Sequence, residues 1–75
     1  MGTNVTFSPG DYDRLESAID RGRRVAIRRR GTEYLVMPAA IRLVGGREAL
    51  DARHPTTGDA IRFWIDELDR WDVVS

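Results

Sequence analysis

Asp11-Tyr12-Asp13-Arg14-Leu15-Glu16-Ser17-Ala18-Ile19-Asp20-Arg21-Gly22-Arg23-Arg24-Val25-Ala26-Ile27-Arg28-Arg29-Arg30-Gly31 decides how this chain is read. The first half has the period of a helix. Tyr12, Leu15 and Ile19 recur on one face, with Ala18 beside them. Ser8-Pro9-Gly10-Asp11 supplies the start: Ser8 can cap, Pro9 suits the first helical position, and Asp11 stands where a capping-box acid belongs. Gly22 is a stop just past the last turn. From Arg23 to Arg30 the period falls to two. Val25 and Ile27 face one way and Arg24, Ala26 and Arg28 the other, which predicts a strand.

The same stretch separates the charge. Residues 1–20 hold four acids and one arginine, a net −3, and residues 21–30 hold six arginines and no acid, a net +6, while the whole chain sums to zero. Such segregation points to a charged partner. Asp13, Glu16 and Asp20 recur at spacings of three and four and so line one helix face, with Asp11 at the cap. They form either a ridge for a basic surface or an ordinary solvated face. The helix dipole favours acids near its N-terminus but gives Asp20 nothing. Arg24 and Arg28 share a strand face, with Arg29 and Arg30 next to them. These either neutralise nucleic-acid phosphates, with Tyr34, Trp64 or Trp71 as stacking rings, or pair with acids of the helix and of the Asp66–Asp72 region. All twelve basic residues are arginine. That suits forked recognition of phosphate or carboxylate, and codon usage in a GC-rich genome gives the same count.

Outward from this stretch, residues 1–4 read as a frayed terminus and Val5–Phe7 as a short leading strand. Gly31-Thr32 is a turn. Glu33–Met37 is apolar on both faces and reads as a central strand. Pro38 predicts a bend or bulge, after which Ile41, Leu43 and Val44 continue the strand. Gly45-Gly46 turns into a third strand, Arg47–Arg53, with Leu50 and Ala52 inward. His54–Asp59 is a hairpin loop by its turn residues. Ile61, Phe63 and Ile65 alternate with Arg62 and Trp64 in a fourth strand. Asp66–Arg70 predicts one helical turn, and Trp71–Val74 a closing strand. The expected fold is one domain over residues 1–75. It is mostly β with one N-terminal α-helix, a small bent antiparallel barrel closed on itself, the helix capping one open end.

Composition narrows the function. Seventy-five residues, 41% of them hydrophobic, make one small core. No cysteine is present, so no disulfide helps, and the expected compartment is the cytoplasm. The nearly apolar run Tyr34–Ile41 is too short to span a membrane. A single histidine, His54, in a turn and no cysteine leave no zinc set and no plausible general base. Asp66, Glu67 and Asp69 are expected to cap the short helical turn, and Gly45-Gly46 lacks a phosphate-loop pattern. No catalytic residue, metal or cofactor is expected. Trp64 either offers a contact surface or lies under a terminal segment. Trp71 is expected to pack against the barrel end.

Asp11-Tyr12-Asp13-Arg14-Leu15-Glu16-Ser17-Ala18 resembles the opening helix of the Rho-binding antiterminator family, with its Asp-Tyr-Asp, its Leu-Glu and a small apolar position. The layout downstream is similar over roughly residues 5–70, ending in Ile61-Arg62-Phe63-Trp64-Ile65-Asp66-Glu67-Leu68. The resemblance implies an Sm-like fold and a role without chemistry. Members bind the transcription termination factor Rho and block its grip on nascent RNA. By position, Asp11, Asp13 and Glu16 match acids of the family helix. The expected function is therefore a small non-enzymatic regulator of transcription that binds a partner protein through Asp11, Asp13, Glu16 and Asp20. The alternative is an Sm-like RNA-binding module using Arg24, Arg28, Arg29 and Arg30. A third is a structural subunit or homo-oligomer joined at strand edges or Trp64.

Overall fold

A computed structural model describes residues 7–74. The expected frayed terminus, and the leading strand apart from Phe7, lie outside the described residues. Helix α1 spans Pro9–Arg21. Its start is the expected capping box. The Ser8 hydroxyl accepts from the Asp11 N–H at 3.2 Å, and the Asp11 carboxylate accepts from the Ser8 N–H at 2.9 Å. It ends where Gly22 takes the left-handed conformation at φ 64°, which lets the Arg23 N–H reach the Ala18 carbonyl at 2.9 Å.

Five strands follow: β1 Val25–Arg29, β2 Thr32–Val44, β3 Arg47–Arg53, β4 Ala60–Trp64 and β5 Leu68–Val73. They form one antiparallel sheet in the order β4-β3-β2-β1-β5. The β1–β2 turn is Arg30-Gly31 rather than Gly31-Thr32. Both residues have positive φ, 52° and 78°, as a two-residue hairpin turn matched to strand twist requires. The two segments expected on either side of Pro38 are one strand. Thr32–Val36 of β2 pair with β1 and Met37–Val44 pair with β3, with a register shift between Pro38 and Ala40. The bulge expected at Pro38 is there, and it bends the strand without ending it.

The bend curls the sheet. Phe63 of β4 meets the Tyr34 ring of β2 edge-on, 5.3 Å between centroids, although β3 lies between the two strands. The expected closure does not occur: β4 and β5 are the two edges of the sheet, and no ladder joins them. A second correction concerns the segment after β4. The helical turn is a single 3-10 turn, Ile65–Glu67, and β5 begins at Leu68, earlier than expected. Ile65 is buried by this turn, not by the strand before it.

The core joins Leu15 and Ala18 of α1 to Val25, Ile27, Val36, Leu50, Ala52, Phe63, Ile65 and Leu68. The helix lies against β2 and β5. Phe63 is fully buried and shared by three strands, so Phe63→Ala is expected to cost about 3–5 kcal/mol in urea unfolding, much of the stability of a domain this small. Ser8→Ala should cost about 1 kcal/mol through the lost cap. Hydrogen bonds from the Ser8 N–H, then from its hydroxyl, and the Arg14 charge hold the Asp11 carboxyl below the usual aspartate range. Its contribution is therefore present above the unfolded-state pKa of roughly 4 and lost as pH falls through the lower folded value. Thermal midpoints at pH 7 and pH 3 should drop less in Asp11→Asn than in the wild type.

Candidate partner-binding face

The orientation of α1 is set by Leu15 and Ala18 in the core and by surface contacts on either side of them. Tyr12 donates its hydroxyl proton to Glu48 of β3. Arg14 reaches Asp72 of β5 at 2.9 Å, and its guanidinium lies 4.8 Å above the Trp71 ring. Trp71 is stacked on Phe7, 5.5 Å apart and 17° from parallel, and Phe7 meets Tyr12 edge-on at 5.2 Å. Trp71 thus packs against the core within a small aromatic cluster at the start of the helix.

With that side pinned, Asp13, Glu16 and Asp20 point outward and are exposed. Among the described residues none of the three has a guanidinium within ion-pair distance, although seven such contacts form elsewhere. Asp11 is different. Its carboxylate is engaged by Ser8 and lies 3.9 Å from Arg14, so it serves the cap. The ridge is therefore three acids, not four. Beside it Glu16, Ile19 and Asp20 share a shallow groove of about 260 Å³ with Ile41 of β2.

The arginines divide in a way the sequence did not reveal. Arg42 and Arg62 hold Asp51 between them at 2.9 and 2.7 Å. The hydrogen bond and charge of Arg62, joined by those of Arg42, keep the Asp51 carboxyl below its ordinary range. Arg47 binds Asp66 at 2.8 Å and Glu67 at 3.4 Å, and its guanidinium lies 4.3 Å from the Trp64 ring centroid. Asp66 and Glu67 thus orient Arg47 and do not cap the 3-10 turn, which has no side-chain cap. Asp69 accepts from the Gly31 N–H at 3.1 Å, tying the β1–β2 turn to β5. Among the described residues Trp64 is covered by an arginine of the third strand. His54 accepts from the N–H groups of Thr56 and Thr57 at its Nδ1, 3.1 and 3.2 Å, which gives it a loop-forming role.

The four arginines singled out as a nucleic-acid surface do not act together. Arg24 and Arg28 are exposed and have no ion-pair partner among the described residues. Arg28 stands opposite both Glu33 and Arg70 in the ladders. Arg29 turns to the other side of β1, against Tyr34 and Phe63. Arg30 sits at the hairpin tip, 3.8 Å from Glu67. Among the described residues no group of three metal-ligating side chains is assembled, and no helix is long and apolar enough to cross a membrane. No family model, curated protein or solved structure matches the chain.

Glu48 raises the pKa of Tyr12 to about 12, first through the hydrogen bond and then, with partial burial, through its charge. Tyr12 then stabilises the fold fully below its unfolded pKa near 10 and loses that contribution as pH rises through the folded value. NMR titration of the Tyr12 ring should show a midpoint near 12, and Glu48→Gln should bring it back toward 10.

Proposed function

We propose that this chain is a small non-enzymatic regulator that docks the outer face of α1 on a basic surface of a partner protein. The fold is best read as Sm-like: a capped helix, then a curled five-stranded antiparallel sheet with β2 at its centre and a short 3-10 turn before the last strand. The partner by resemblance is the transcription termination factor Rho. One observation carries the reading. In a chain with equal numbers of acids and arginines, Asp13, Glu16 and Asp20 line one exposed helix face without an ion pair among the described residues, whereas the other unpaired acids, Glu33, Glu48, Asp59 and Asp69, are scattered over separate strands and a loop. Three like charges within two turns of a rigid helix repel one another slightly, and an opposing cationic groove relieves that repulsion. Occlusion follows: a ridge of carboxylates takes the place of RNA phosphates on the partner.

The chain should bind purified Rho at low salt in a calorimetric titration, with affinity falling as salt rises. The double reversal Asp13→Lys and Glu16→Lys, on exposed positions that leave the cap intact, should weaken binding at least tenfold. Absence of binding at low salt rejects the Rho assignment.

The second reading, an RNA-binding module, draws on Arg24 and Arg28, exposed with Arg70 on the same outer face of the sheet. It lacks stacking rings there, since Tyr34 and Trp71 stand opposite the buried Ile27 on the inner side of the sheet, and Trp64 stands opposite the buried Ala49 on β4, which β3 and β2 separate from β1.

A further inference from the structure

Because the sheet curls without closing, a seam runs between β4 and the β1–β2 hairpin. A cavity of about 420 Å³ opens along it, walled by Arg29, Arg30, Tyr34, Arg62, Trp64 and Glu67, with Thr32 at its edge. Its lining carries three arginines and one carboxylate. That carboxylate, Glu67, is drawn toward Arg47 at 3.4 Å and Arg30 at 3.8 Å. Arg62 is held by Asp51.

Arg29 is unlike its neighbours. It is half-buried, with its guanidinium carbon 5.2 Å from the Tyr34 centroid and 5.1 Å from that of Phe63. One Nη donates to the Tyr34 hydroxyl at 3.3 Å. Among the described residues it has no carboxylate partner. A guanidinium has five N–H donors, and here two rings fix its position while most of those donors lack an acceptor within the fold. A charge held partly out of water, rigid and unpaired, is preorganised for an oxyanion, and the guanidinium fork matches phosphate. Tyr34 and Trp64 also line the cavity, each with a guanidinium over its ring, and the aromatic surface they keep toward it is where a planar base would lie. The volume lies within the range of small-ligand sites.

We propose that this seam cavity binds a nucleoside monophosphate, its phosphate on Arg29 with Arg30 alongside and its base against the aromatic wall. The site uses none of the α1 acids and is independent of the partner-binding reading.

Adenosine monophosphate titrated at low salt, followed by calorimetry and tryptophan fluorescence, tests it. Binding is expected, with inorganic phosphate and adenosine each at least tenfold weaker. Arg30→Asn retains a residue that tolerates the left-handed turn and should weaken binding severalfold. Arg29→Gln should abolish it with the far-ultraviolet circular dichroism unchanged; if that variant does not fold, Arg30→Asn decides alone. The Asp13→Lys, Glu16→Lys variant should bind the nucleotide like the wild type, which separates this site from the α1 ridge. The proposal is overturned by no binding at millimolar nucleotide, by inorganic phosphate binding as tightly, or by wild-type affinity in Arg30→Asn. It is equally overturned if a single-stranded RNA oligonucleotide binds while the mononucleotide does not, since that assigns binding to the Arg24 and Arg28 face.

Discussion

The fold depends on one strand serving two partners. β2 pairs with β1 over its first five residues and with β3 over the rest, and the bulge between Pro38 and Ala40 lets it change direction between them. A straight strand of thirteen residues would carry β1 and β4 far apart on a flat sheet, and so small a flat sheet could not enclose a core. The bend instead sets Phe63 against Tyr34 and brings Val25, Ile27 and Val36 around it. Leu15 and Ala18 then cover the concave side. The helix, formed by its own caps and period, is the lid on that curl.

The charged residues follow from the same geometry. Exposed ion pairs contribute little individually, and those seen here connect neighbouring elements at the surface. Asp51 accepts from Arg42 of β2 and Arg62 of β4 on either side of β3. Asp66 and Glu67 gather Arg47, and Asp72 gathers Arg14. The acids of α1 that lie opposite its buried stripe face away from all of these. Their freedom results from which side of the helix is apolar, since Leu15 and Ala18 must face the sheet and so turn Asp13 and Asp20 to solvent. The two poles visible along the chain do not neutralise each other, because β1 leaves the helix end with its arginines divided between the two faces of the sheet.

Local signals were the readable ones. The capping box, the Gly22 stop, the bulge at Pro38 and the third strand all depend on residues a few positions apart, and each lies where its residues indicated. The exposed acidic ridge was readable too, since three- and four-residue spacing on a well-capped helix defines a face. Nothing local revealed that Asp66 and Glu67 would orient an arginine some twenty positions earlier, or that the same arginine would cover Trp64. Nor was Arg29 separated from Arg24 and Arg28 by the sequence reading, and its stacking on Phe63 depends on the sheet curling back on itself.

The order of elements, the ends of α1 and the acidic face it carries were set by sequence alone, because hydrogen-bond capping and hydrophobic period act within a few residues. The open seam, the site of Arg29 within it and the partition of the remaining arginines were decided only in three dimensions. Each of these needs strands remote in the chain to meet, and how far the sheet bends, not any neighbouring residue, determines whether they do.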